Sequence, residues 1–183
     1  KQAPAWIIIC ADMARQLELF KTLKVKTDFG PLGKFIPSII DTSLAAQNMI
    51  LAAEALGLGT VFIGSIWDVM KKVATILQAP KNVLPMLLLC IGYPNETPPK
   101  RPRWPLKAVL HENRYVMPSR SLMEKYYRKA NKELVEMKYF SKNVRSWAEH
   151  WQRKFPQEGV EKWESVLRQN LTELGFLPKW KES

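Results

Sequence analysis

Acidic residues are scarce beside basic ones. Against 28 Lys and Arg stand 17 Asp and Glu, a formal net charge of +11 over 183 residues. That excess disfavours cationic partners and favours anionic ones: nucleotides, nucleic acid or an acidic membrane face. Histidine and cysteine are rarer still, two of each. Neither Cys10 nor Cys90 has metal-ligand spacing, so no metal site is expected. Both lie in apolar strand-like runs, which predicts two buried free thiols in a reducing compartment, the cytoplasm. There is no Ser/His/Asp arrangement and no pair of carboxylates suited to acid–base work, so no side chain is singled out as catalytic. Long hydrophobic runs are absent. The apolar stretches at 5–11 and 83–93 are too short to cross a bilayer. No basic start leads into an apolar stretch and a small-residue cleavage site. The chain opens on Lys1 and reaches an apolar run by Ala5, so it is expected to begin inside a longer protein. Repeats and low-complexity tracts are also missing.

What is present is a globular composition, 46% hydrophobic and long enough for a sizeable core. Residues 5–11 are continuous and β-branched, which predicts a strand buried on both faces. Residues 12–20 predict a short helix with an acidic start. Residues 21–34 contain Gly30, Pro31 and Gly33 and read as a loop. Residues 41–57 predict the clearest helix, with Asp41 as N-cap and Gly57 or Gly59 in the left-handed position beyond its end. Leu44, Ala45, Ala46, Met49, Ile50, Ala52, Ala53 and Leu56 make it apolar nearly all round, which predicts burial on several faces, either against a partner subunit as well as its own sheet or as a central core helix of a monomer. A short strand at 60–64 ends in Gly64. An amphipathic helix at 68–77 is expected to carry Val69, Val73, Ile76 and Leu77 on one face and Lys71 and Lys72 on another. A third strand covers 84–93. Further helices are expected at 119–137, 141–155 and 158–174, the last closed by Gly175. Met123, Tyr126, Tyr127, Trp147, Trp151, Trp163 and Leu167 are expected to anchor this arm. His111 and His150 read as structural or solvated residues.

The stretch after the third strand carries the most chemistry. Lys100, Arg101 and Arg103 put three cations within four positions, among Pro94, Pro98, Pro99, Pro102 and Pro105. Guanidinium groups match phosphate oxygens in bidentate geometry and keep their charge. Proline removes backbone freedom before an anion arrives, so less entropy is lost on binding. The pattern suits a phosphate held beside a sheet; the plain alternative is a solvated basic loop. Trp104 either walls a pocket or packs on the sheet.

Three segments together resemble the nitroreductase family of flavin-dependent oxidoreductases. One is the apolar helix from Asp41 to Gly57-Leu58-Gly59, similar to the family's interface helix. Another is Thr60-Val61-Phe62-Ile63-Gly64-Ser65, which resembles the strand ending against the flavin. The last combines Gly92-Tyr93-Pro94, Lys100 to Pro105, and His111-Glu112-Asn113-Arg114-Tyr115. Tyr126-Tyr127, Ser146-Trp147-Ala148 and Leu174-Gly175-Phe176 look like the extension of the larger oxygen-insensitive nitroreductase and flavin reductase branch.

The resemblance implies an α+β fold with a mainly antiparallel central sheet flanked by helices. It implies an obligate homodimer with FMN at the interface, and a ping-pong reaction from NADH or NADPH to nitroaromatic, quinone or flavin acceptors. Residues 1–115 would form the FMN-binding core and residues 116–183 a helical extension packing on the dimer. Arg101 and Arg103 would hold the FMN phosphate. Backbone groups of Phe62, Ile63 and Gly64 would lie near the isoalloxazine, one N–H directed toward N5. The family's N-terminal Arg-Ser-x-Arg segment has no counterpart here, so only part of its flavin site is expected. Trp67 stands near where NADPH-selective relatives carry an arginine, which leaves the nicotinamide choice open. Lys142 and Arg145 are substitutes or solvated helix charges. Two other readings compete: a flavin-less dimeric interaction module, and a basic nucleic-acid binder, disfavoured because no recognition motif is present.

Overall fold

Among the described residues the strands of the central sheet all lie between residues 5 and 92. In the computed structural model, which describes residues 3–27 and 29–178, the elements in order are β1 (Ala5–Asp12), α1 (Ala14–Thr22), α2 (Gly30–Ala55), β2 (Gly59–Ile63), α3 (Met70–Ile76), β3 (Val83–Gly92), α4 (Arg120–Glu136), α5 (Trp147–Lys154) and α6 (Gln157–Glu173). Short 3-10 turns cover Gly64–Val69 and Leu106–Ala108. The fold is α+β, with an antiparallel sheet in the order β1-β3-β2.

β3 is central and the most apolar strand, with Leu84, Pro85, Met86 and Leu89 buried. Proline in a central strand removes a ladder donor and is tolerated at bulges. The pairing shows such an irregularity: Ile9 faces Leu87 while Cys10 faces Pro85, which leaves Met86 without a partner on β1. The Met86 carbonyl instead accepts a hydrogen bond from Trp67 Nε1 at 2.7 Å. β1 was expected to be buried on both faces. It is an edge strand whose residues are mostly half-buried, with Ala11 alone buried.

The helix expected from Asp41 begins eleven residues earlier, at Gly30. Gly30 and Pro31 read as breakers are in fact a start: Pro31 sits in the first turn, where its missing N–H has no intrahelical partner to lose. Asp41 is therefore an exposed mid-helix residue and caps nothing. Pro37 lies inside the helix. Close by, Ser38 Oγ donates to the Phe35 carbonyl and Thr42 Oγ1 to that of Ser38, so both buried hydroxyls are satisfied. At the far end Gly57 takes a φ of 76°, as the sequence pattern requires.

Burial on α2 is confined to one stripe, Ser38, Thr42, Ala46 and Ala53. Two residues out of phase with that stripe, or about 200° around a helix, run Leu32, Ile36, Ile40 and Leu44, each more than half exposed. In the single chain the helix is thus apolar on two opposite sides and covered on one. On α3 the apolar face expected from the sequence is not the buried one. Met70 and Ala74 are buried, whereas Val69, Ile76 and Leu77 are exposed. The 3-10 turn before α3 rotates the helix by a residue relative to the expected register.

Two compact units emerge: residues Lys1–Asn95 with Glu161–Ser183, and Glu96–Val160. The basic loop groups with α4 and α5, and the C-terminal residues from Glu161 group with the sheet. In the first unit Ala11, Met70, Ala74, Leu84, Met86, Leu171, Leu174 and Phe176 form the core. Gly175 ends α6 with φ 87°, and Lys34 Nζ donates to its carbonyl at 3.1 Å. In the second unit Ser119 caps α4 by accepting from the Leu122 N–H, and Ser146 caps α5 by accepting from that of Glu149. α5 starts six residues later than the expected 141, because Ser146 supplies the cap that the earlier residues lack.

Candidate functional site

The first group of site residues ends β2. Phe62 pairs with Leu89 and is half-buried; Ile63 pairs with Leu88 and is 36% exposed. Gly64 follows at the start of the 3-10 turn and is exposed.

Glycine usually has a reason within its own chain. Gly57, Gly30 and Gly175 adopt positive φ, and a Cβ on Gly92 would strike Pro4 at 2.6 Å. Gly64 has neither reason: its φ lies outside the left-handed region and a Cβ there would meet nothing within 4 Å. The chain tolerates a side chain at 64 on its own terms. A glycine left open in this way fits a position where something outside the chain approaches the backbone closely.

The turn behind Gly64 is firmly held. Ile66 is buried, the Trp67 indole donates to the bulge carbonyl of Met86, and Trp163 Nε1 donates to Asp68 Oδ1 at 3.0 Å. Trp67 is thereby committed to the sheet.

The second group lies in the second unit. This unit holds fifteen Lys and Arg against seven Asp and Glu, which is eight of the chain's eleven net positive charges. Arg101 is exposed, with its guanidinium carbon 4.9 Å from the centre of the Tyr139 ring. Stacking of this kind holds the planar cation in place while its N–H edges stay free for an anion. Arg103 lines two adjoining cavities. One, of about 340 Å³, is bounded by Arg103, Lys107, Lys125 and Lys129 with Glu133 as its one carboxylate. The other, of about 290 Å³, is bounded by Arg101, Arg103 and aromatic rings. Trp104 stacks on Tyr126 at 3.9 Å, so it packs against α4 and walls the second cavity. Burial pushes the Tyr126 hydroxyl up from its ordinary pKa, Glu133 adds to the rise and Arg103 opposes it.

Tyr126, Trp147 and Trp151 were expected as packing anchors, not as walls around the arginines, and Tyr139 was not singled out. Lys125 and Lys129 were missed as well. Their i, i+4 spacing on α4, aligned with Tyr126 and Glu133, was the available signal. Of the other residues considered, His111 packs beside Tyr115 with ring centroids 4.6 Å apart. His150 sits among Tyr139, Phe140 and Trp151. The thiols are unpaired but only half-buried, and burial raises that of Cys10, with Asp12 adding to the rise. Among the described residues no cluster of three or more His, Cys, Asp or Glu is placed to hold a metal ion.

Residues 1–93 match the model of the nitroreductase family. The chain belongs to that family. This nitroreductase family member is 34% identical over 161 residues to the oxygen-insensitive NADPH nitroreductase of Salmonella typhimurium, covering 86% of this chain and 63% of that protein. It is 41% identical over 112 residues to the FMN reductase (NADPH) of Bacillus subtilis, covering 60% of this chain and 45% of the relative. The chain thus spans less than two thirds of these curated relatives. The structure of the NfrA1 nitroreductase from Bacillus subtilis superposes with a TM-score of 0.77 at 30% identity, over 90% of this chain and 68% of that one.

Proposed function

We propose that this family member is an FMN-dependent oxidoreductase that passes reducing equivalents from NADH or NADPH to nitroaromatic, quinone or flavin acceptors in a ping-pong cycle. The observation that carries the reading is Gly64: open, unstrained and uncrowded at the end of β2. FMN, when bound, supplies the hydride chemistry, which no protein side chain could supply alone. Arg101 and Arg103 would hold its phosphate by paired, charge-assisted hydrogen bonds. Backbone groups of Phe62, Ile63 and Gly64 would lie near the ring, and an N–H donated there would help set how readily electrons are taken up. No catalytic acid or base is assigned.

The protein acts as a homodimer in the cytoplasm. The uncovered apolar stripe of α2, Leu32, Ile36, Ile40 and Leu44, supports a second copy as its cover. Among the described residues no helix is long and apolar enough to cross a membrane. Residues 1–115 form the FMN-binding core and 116–183 an extension packing on the dimer. Relatives named for NADPH favour neither donor here, because Trp67 is tied to the sheet where an arginine would meet a 2′-phosphate; Lys142 and Arg145 are substitutes for that role or solvated charges.

The test is anaerobic absorbance spectroscopy of the protein with added FMN. The flavin bands are expected to bleach on adding NADH or NADPH and to return with a quinone or nitroaromatic. Protein that takes up no FMN, or bound FMN that neither donor reduces, contradicts the proposal.

A further inference from the structure

The 3-10 turn Gly64–Val69 has weak internal support: no side chain caps its start, and its outer residues Gly64, Ser65, Asp68 and Val69 are exposed. Hydrogen bonds of 3-10 geometry are poorer than those of an α-helix. Its position therefore depends on ties to other elements. One is the burial of Ile66, and another is the Trp67 bond to the Met86 carbonyl of β3. The others come from α6, nearly a hundred residues further along the chain. Trp163 Nε1 donates to Asp68 Oδ1 at 3.0 Å, and Glu173 pairs with Lys71 just beyond the turn. Between these two ties Leu167 packs against the core and Leu171 is buried in it, beside Met70 and Ala74. Because α6 is anchored in that core, the two polar ties act from a fixed support.

We propose that α6 is a clamp on the flavin-facing turn, with Asp68 and Trp163 as positioning residues that fix the backbone at Gly64. The inference rests on the FMN reading above and gives the C-terminal helix a task within it. An indole N–H on a carboxylate is a charge-assisted bond in a set direction. Losing it frees the turn to move away from the ring without opening the core, because Ile66, Met70 and Leu171 are untouched.

The experiment uses the full chain with Trp163→Phe, Asp68→Ala and Asp68→Asn. Trp163→Phe keeps a ring and removes the donor; Asp68→Asn keeps an oxygen acceptor. Amide hydrogen exchange, thermal unfolding and the FMN dissociation constant are measured together. Trp163→Phe and Asp68→Ala are expected to speed exchange at residues 64–69 and to weaken FMN about fivefold, the ratio set by one modest hydrogen bond. Asp68→Asn is expected to restore both, and exchange elsewhere in the sheet is expected to stay unchanged. Unaltered exchange at 64–69, or faster exchange with unaltered FMN affinity, overturns the proposal, as does an equal loss of protection throughout the chain. If the unaltered protein takes up no FMN, the positioning role falls with the functional reading; the exchange data still report whether the tie holds the turn, so the two failures are told apart.

Discussion

Replacing Gly64 by alanine separates two kinds of reason for a glycine. In the chain alone the added methyl group meets no atom within 4 Å, and the backbone there lies outside the left-handed region. Alanine restricts the unfolded chain more than glycine does, so a compatible Gly→Ala change stabilises a protein by about 0.4–1 kcal/mol. For a chain of 183 residues that corresponds to a rise of about 1–4 °C in melting temperature. The same methyl group would stand where a flat ring is proposed to rest on the backbone. FMN affinity is expected to fall by about tenfold or more, equivalent to about 1.4 kcal/mol. The assay pairs thermal unfolding without flavin against fluorescence titration with FMN. A raised or unchanged melting point with weakened FMN binding is the expected signature. Unchanged FMN affinity would refute the argument from the open glycine, and a lowered melting point would refute the steric reading of the turn.

Three further outcomes follow from the packing and charges. Phe176 is fully buried against Phe35 and the core of the first unit, so Phe176→Ala is expected to cost about 3–5 kcal/mol in urea unfolding. The Glu173 carboxyl is held below its ordinary pKa, first by its hydrogen bond to Lys71 and then by that to Gln169. A lowered folded-state pKa stabilises above the unfolded value and loses that contribution as pH falls through the folded one. Glu173→Gln is therefore expected to be less stable than the parent at neutral pH, with the gap closing in acid, as pH-dependent urea midpoints would show. Leu44→Glu, in the exposed stripe of α2, is expected to give monomers in sedimentation where the parent gives dimers; an unchanged dimer would place the interface elsewhere.

The strands were legible because their signals are local. β2 and β3 each read as short apolar runs, β2 closed by Gly64, and their ends moved by one residue. α4 and α6 were legible from Ser119, which caps, and Gly175, which terminates. The start of α2 was hidden because Gly30 and Pro31 break a helix interior yet open a first turn equally well, and only tertiary packing decides between the two. Register on α3 depended on the 3-10 turn before it, whose geometry leaves little trace in residue type. Pro85 in a central strand became intelligible only with the bulge at Met86 and the indole that satisfies its carbonyl. At the candidate site the arginines were visible as a cluster, and Gly64 by resemblance. What pairwise spacing could not supply was the ring of Tyr139 beneath Arg101 or the tie from Trp163 to Asp68. Each joins residues brought together by folding, the last of them 95 positions apart.

The central claim is that a mononucleotide binds through its phosphate at Arg101 and Arg103. Titration with FMN and with riboflavin, which lacks the phosphate, tests it most directly. The parent protein is expected to bind FMN at least about tenfold more tightly than riboflavin, as charge-assisted hydrogen bonds to a phosphate require. The Arg101→Ala, Arg103→Ala double variant is expected to bind the two alike. Equal affinity of the parent for both flavins, or a preference for FMN that survives loss of both arginines, would contradict the account.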